Sequence, residues 1–164
     1  MLIGTHIFLP VLAATAVNAA SLLREKNRLF SGRDLAMIGI CGGLPDLLSP
    51  HIRLSARMES WTHTVWFLAG LLLLVFLLSY RYHRAGWLRF AGACWSAAAL
   101  HLLCDAIAGG IAPFYPLFSD KIGKYYIPPK MWIFIDVGVI AACCVLTALV
   151  RHVEKIRKQQ HIQA

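Results

Sequence analysis

Charge is scarce in this sequence. Only 8 Asp and Glu and 16 Lys and Arg occur in 164 residues, 15% in all, where soluble domains carry about 25%. So few charges among so many apolar residues exclude a disordered chain, a collagen-like repeat and a coiled coil. Cysteine pairs are missing too: Cys41, Cys94, Cys104, Cys143 and Cys144 lie in apolar stretches with no Cys-x-x-Cys spacing. That excludes a disulfide-rich scaffold and a dithiol redox site, and the thiols read as small hydrophobes. No nucleophile elbow, Walker loop or His-Glu-x-x-His occurs. Nor is there a repeat of 20 to 50 residues or a low-complexity linker, so one domain is expected over residues 1–150, followed by a basic tail over 151–164. The first positive residue is Arg24, which lies after an apolar run. The basic n-region of a signal peptide is therefore missing, and residues 1–23 read as an uncleaved span although Ala14-Thr15-Ala16 resembles a cleavage site.

Apolar residues are abundant instead. They make up 59% of the chain, and the mean hydropathy is +0.63, which indicates a membrane protein. The net charge of +8 would otherwise suggest a nucleic-acid partner. Its distribution excludes one, because the basic residues sit in short runs between apolar stretches rather than in one stripe.

A helix needs about 20 residues to cross the hydrocarbon core. Residues 1–23, 60–80, 87–112 and 131–150 meet that length, and residues 35–48 form a shorter fifth segment holding Gly39, Gly42, Gly43 and Pro45. The short segment reads either as a thin span or as a re-entrant hairpin. Loop charge arbitrates. With five crossings, eleven basic residues share a side: Arg24, Lys26, Arg28, Arg33, Arg81, Arg84, Arg89, Arg151, Lys155, Arg157 and Lys158. Five face the other: Arg53, Arg57, Lys121, Lys124 and Lys130. Re-entry would nearly abolish the asymmetry. The positive-inside rule then gives an all-α, polytopic bundle of five spans, N-terminus outside and C-terminus cytoplasmic. The loop over residues 111–130 interleaves Pro113, Pro116, Pro128 and Pro129 with five aromatic residues, and reads as an outer lid or as a stiff connector anchored among headgroups.

Against that background a few polar residues stand out: His6, Asp46, His63, His101, Asp105 and Asp136. An Asp at a helix centre costs about 2.5–3.5 kcal/mol on insertion scales, so such residues face a partner or a cavity. At 1.5 Å rise per residue, His6 and His101 lie about 6 Å, and Asp46 and His63 about 3 Å, below the outer end of their spans, with Asp105 at a span end. All five share one thin layer. His101 and Asp105, four apart, share a helical face. Three imidazoles and two carboxylates suit zinc or another divalent first-row metal, with Asp46 and Asp105 the candidate catalytic carboxylates. The competing reading makes them polar contacts between helices. Asp136, about 8 Å into the last span, is expected either to orient a histidine or to balance Arg53 or Arg57.

The motifs Thr5-His6, Gly43-Leu44-Pro45-Asp46, Thr62-His63-Thr64 and Leu100-His101-x-x-x-Asp105, followed by Gly109 and Pro113, resemble those of the YdjM-like family of inner-membrane metal-dependent hydrolases. The resemblance covers roughly residues 3–118. It implies a membrane-embedded metal centre carried by His6, Asp46, His63, His101 and Asp105. Two departures stand out. The family often reads Pro-Asp-x-Asp where this chain has Pro45-Asp46-Leu47-Leu48, and often an Arg where this chain has Glu59. His51 and Arg57 are the residues that would stand in.

The expectation is a hydrolase working near the outer face of the cytoplasmic membrane on a lipid or lipid-linked ester or phosphoester, with Arg53, Arg57 and the lysines of residues 111–130 receiving an anionic headgroup. Its partners would be the bilayer and that substrate, not nucleic acid. The alternative is a non-enzymatic membrane protein, either a transporter or a metal carrier or helper subunit. A transporter would place its ligands near the midplane between repeats. A third reading is an enzyme that has lost activity.

Overall fold

Ser31 and Asp34 set where the second helix begins. The Ser31 amide donates to the Asp34 carboxylate at 2.7 Å, and the Asp34 amide donates to the Ser31 hydroxyl at 3.2 Å, which is a reciprocal capping box. The helix therefore starts three residues ahead of the apolar stretch that announces it. The computed structural model describes residues 2–24, 27–49, 58–82 and 86–163. Five α-helices carry them: α1 (Ile3–Leu23), α2 (Gly32–Leu48), α3 (Val65–Tyr82), α4 (Trp87–Ile107) and α5 (Trp132–Gln163), with 3-10 turns at Trp61–His63 and Pro129–Met131. Among the described residues no β-strand forms, only two isolated bridges.

Four segments, Ile3–Leu23, Val65–Tyr82, Trp87–Ile107 and Pro129–Arg157, are long and apolar enough to cross a membrane. The 17 residues of α2 give about 25 Å of helix, at the lower limit for a span. They run as one helix rather than a re-entrant hairpin. The last helix also runs past the expected boundary at Val150, so residues 151–163 continue α5.

Helix α1 packs between α5 and α2, while α4 packs between α2 and α3. Small residues make the second contact close: Ala91, Cys94, Ala97 and Ala98 of α4 are buried against Ile38, Cys41, Phe67, Leu71 and Val75, as expected where van der Waals packing drives association. At one end of the bundle, Arg28 pairs with Glu154 at 2.6 Å, Arg157 donates to the Leu22 carbonyl, and buried Asn18 bonds the backbone of Leu29 and Phe30. This fixes the return from α1 to α2 and the extension of α5. The opposite end gathers the start of α1, the end of α2, the approach to α3, the end of α4 and the start of α5.

Helices α1 and α2 approach closely at Gly42. Pro10 cannot donate to the carbonyl of His6, four residues earlier, and Gly42 packs directly on that carbonyl. A Cβ there would lie 2.3 Å from the His6 oxygen and 2.8 Å from Pro10 Cγ. Backbone cannot yield as a side chain does. Gly42→Ala is expected to cost about 1–3 kcal/mol, read as a lower melting temperature in detergent. Gly70→Ala is the control: nothing lies within 4 Å of its Cβ, and the helix gains by up to about 1 kcal/mol. Equal melting temperatures for the two variants would contradict the packing described.

The segment between α4 and α5 folds back over the end of α4. Amides of Gly110, Lys124 and Tyr126 donate to the carbonyls of Asp105, Ala106 and Ile107, and Ile111 and Ile122 exchange a backbone pair. Gly123, at φ +99°, lies so close that a Cβ would sit 2.0 Å from the Ala106 oxygen. The Val65 amide donates to the Pro113 carbonyl at 2.8 Å. The same segment thus ties the end of α4 to the start of α3.

Candidate metal centre

Each polar residue expected from the sequence has a definite support. His101 and Asp105 stand one turn apart on α4, and Asp46 lies on the last turn of α2. His63 differs from expectation: it is not inside the third span but closes the 3-10 turn ahead of it. The reason is Thr64, whose hydroxyl accepts from the Phe67 amide at 3.3 Å and donates to the Trp61 carbonyl at 2.7 Å. Thr64 therefore caps α3 and holds His63 outside it.

The structure brings Asp46, His63, His101 and Asp105 together. One ligand atom from each lies within 4.8 Å of the others. The Nε2 atoms of His63 and His101 are 3.3 Å apart. His63 Nε2 is 3.3 Å from Asp46 Oδ1 and 3.3 Å from Asp105 Oδ2. His101 Nε2 is 3.6 Å from Asp46 Oδ1 and 3.4 Å from Asp105 Oδ2. Four ligands held about 2.0–2.1 Å from one ion in a tetrahedral shell stand about 3.3–3.4 Å from each other. Five edges of this tetrahedron are close to that length.

Tautomers bear on what these contacts could hold. His101 Nδ1 lies 2.8 Å from the Gly42 carbonyl, which can only accept, so Nδ1 carries the proton and a neutral ring turns its Nε2 lone pair inward. His63 Nδ1 is likewise engaged outside the group, 3.1 Å from the Thr62 hydroxyl and 3.3 Å from that of Ser60. Protons on both facing Nε2 atoms would set two like charges 3.3 Å apart, so a single proton is the less costly filling. One proton leaves two carboxylates undercompensated among helices where His63, His101 and Asp105 are 0%, 1% and 1% exposed, an expensive arrangement in a low dielectric. A divalent cation between two neutral imidazoles and two carboxylates balances the charge. The donor set fits such an ion.

His6 stands apart from the four. It stacks on His101 with ring centroids 3.9 Å apart, and its Nε2 is 3.3 Å from the other Asp105 oxygen, Oδ1. Distance alone would make that an ion pair, but the orientation does not make a hydrogen bond, and both ring nitrogens are buried without one. A hydrogen bond weakens steeply off axis, so the proximity leaves His6 without one. Asp105 thus faces two imidazoles with one oxygen and His6 with the other.

Among the described residues Asp136 bonds the start of α1 rather than an imidazole. It accepts from the Thr5 amide at 3.0 Å and from the Thr5 hydroxyl, capping the first turn of α1 from α5 and fixing the residue before His6. His51, Arg53 and Arg57, and with them the stand-in roles expected of His51 and Arg57 and the pairing of Asp136 with either arginine, lie outside the described residues. Sequence reasoning did not find the groups that fix the rings. Ser60 and Thr62 carry a signal, two hydroxyls within three residues of a histidine, whereas the Gly42 carbonyl carries none that a side-chain pattern could reveal.

A model of the YdjM inner membrane protein family matches residues 1–160 of this chain. Among curated proteins and solved structures nothing matches.

Proposed function

The chain belongs to the YdjM inner membrane protein family and is a multi-pass protein of the inner membrane, and from that premise we propose that it is a metal-dependent hydrolase, with zinc as the ion, acting on a lipid or lipid-linked ester or phosphoester at the outer face. The observation that carries this reading is the inward aim of the His63 and His101 Nε2 atoms toward Asp46 and Asp105. Asp46, His63, His101 and Asp105 would hold the ion. When bound, zinc supplies a Lewis acid that polarises a carbonyl or phosphoryl oxygen and makes water a better nucleophile near neutral pH.

The protein's own groups take distinct parts. The Gly42 carbonyl and the Ser60 and Thr62 hydroxyls keep both Nδ1 atoms occupied, so the rings present Nε2 inward. Asp105, buried on all sides, orients two rings. The side chain of Asp46 is 22% exposed and stands at the open edge; with Oδ1 turned to the ion, its other oxygen could take a proton from an attacking water and return it to the leaving group. Burial of the other members excludes bulk water.

Outward placement rests on charge. The ends of the helices away from the cluster carry most of the basic residues, which favours cytoplasmic placement of those ends. A cluster at one end of the bundle also disfavours a transporter, whose site would lie near the midplane.

The test is turnover by purified protein of a panel of phospholipids and lipid-linked esters, with and without chelator, alongside reporter fusions at Asp120 and at the C-terminus. Chelator-sensitive hydrolysis and fusions on opposite sides, Asp120 outside, are expected. A metal-loaded protein that hydrolyses no member of the panel would overturn the enzymatic reading, and fusions on one side would overturn the topology.

A further inference from the structure

A groove of about 550 Å³ opens between the last turn of α2 and the first half of α3. Leu44 and Leu48, four apart on one face of α2, form one wall, and Phe67, Leu71 and Leu74 of α3 form the other. Tyr115, from the segment that folds over α4, helps to close one end beside Thr64. That end lies next to the catalytic group, because Thr64, which lines the groove, directly follows His63.

We propose that this groove binds one fatty acyl chain of a bilayer phospholipid, held with its ester end toward Thr64 and its methyl end toward Leu74. Three observations favour that occupant. The walls belong to helices whose surroundings in an inner-membrane protein are hydrocarbon, so whatever enters comes from the bilayer. From Thr64 to Leu74 the groove runs about 15 Å at 1.5 Å per residue, half of the roughly 30 Å hydrocarbon core, which is the depth of one leaflet. A helix from a second copy or another protein, about 10 Å across and about 1,200 Å³ over the same length, could lay only part of its girth in a groove of about 550 Å³. An extended acyl chain is narrow enough.

Gly70 gives the site a gauge. It is an exposed residue in the wall of the groove, and a Cβ built on it meets nothing within 4 Å. A side chain there starts in open space at the groove wall. Gly70→Phe therefore shortens the space for a chain, and a helix tolerates the exchange because glycine is its weaker former by up to about 1 kcal/mol.

This inference rests on the lipid-hydrolase reading for the fate of the chain, but binding can be tested without turnover. The full-length protein, in nanodiscs of phosphatidylethanolamine and phosphatidylglycerol, is exposed to a phosphatidylcholine carrying a mid-chain diazirine, irradiated and mapped by mass spectrometry. Labelling of Leu44, Leu48, Phe67 and Leu71 is expected to exceed that of Val137, Val145 and Leu149 on the exposed face of α5 by at least about fivefold, since a pocket buries most of its ligand. In Gly70→Phe that excess disappears while metal content stays at the wild-type level. Leu74→Trp, at the far end, is expected to shift labelling toward Thr64 and serves if Gly70→Phe does not accumulate. Equal labelling of the groove and α5, an excess unchanged in both variants, or crosslinks between two copies through the groove would overturn the proposal. Labelling as expected without any hydrolysis would overturn the enzymatic reading alone, and hydrolysis without preferential labelling would overturn the groove alone.

Discussion

Replacing His63 or His101 with alanine is expected to reduce bound metal from about one ion per chain to below about 0.1, with helical content unchanged. Each supplies an inward Nε2 to a four-atom group, five of whose six edges are 3.3–3.6 Å long. Loss of either leaves three donors, two of them carboxylates whose charges lie within 4.8 Å of each other. His6→Ala is expected to behave differently. His6 faces Asp105 through Oδ1, outside the four, so its loss should weaken affinity by about 10–100-fold, as for groups that support a ligand, and leave the saturated stoichiometry at about one. Metal analysis of the three variants after equilibration with a buffered zinc series reads both quantities. If His6→Ala empties the site as fully as His63→Ala does, the ion is held by five residues and not four.

Asp105→Asn is expected to lower kcat for lipid hydrolysis by about 10²–10⁴-fold. The exchange preserves shape but removes a charge where it is least dispensable, since Asp105 is 1% exposed and contacts three imidazoles. With a divalent ion bound, Asp46 alone would remain to balance it, leaving net positive charge in a low dielectric. Asp136→Asn is the control. Its carboxylate is bonded to Thr5 rather than to a ring, so the expected effect is the loss of a helix cap, about 0.5–2 kcal/mol of stability, with turnover per bound ion changed less than about threefold. Turnover rates normalised to metal content separate the two. Asp105→Asn retaining turnover within about twofold of wild type would remove Asp105 from the machinery.

The architecture was largely legible in the sequence because a bilayer leaves few choices. Every backbone polar group must be satisfied within its segment, so long apolar stretches become helices and their polar interruptions become informative. Counting residues placed His6, Asp46, His63, His101 and Asp105 in one layer, and the structure brings those five side chains together at one end of the bundle. Boundaries were less legible where a local hydrogen bond decides them. The Ser31 and Asp34 box starts α2 earlier than its apolar stretch, and the Thr64 cap takes His63 out of α3. Two further features depend on tertiary placement alone. The division of the Asp105 oxygens between the pair of inward imidazoles and His6 follows from how α1 and α4 are rotated, which no spacing encodes. The choice of inward nitrogen on His101 follows from a backbone carbonyl at Gly42, exposed by a close helix contact beside Pro10. Asp136 is the converse case. Its depth suggested a histidine or an arginine partner, and the donor found for it is the open first turn of α1.

Metal content of the wild-type protein, purified from membranes without chelator and measured by inductively coupled plasma mass spectrometry against quantitative amino-acid analysis, probes the centre of this interpretation. The expected result is about one transition-metal ion per chain, predominantly zinc, retained through gel filtration. A folded wild-type chain that carries none, and takes up none from buffered zinc, would mean that Asp46, His63, His101 and Asp105 hold only one another.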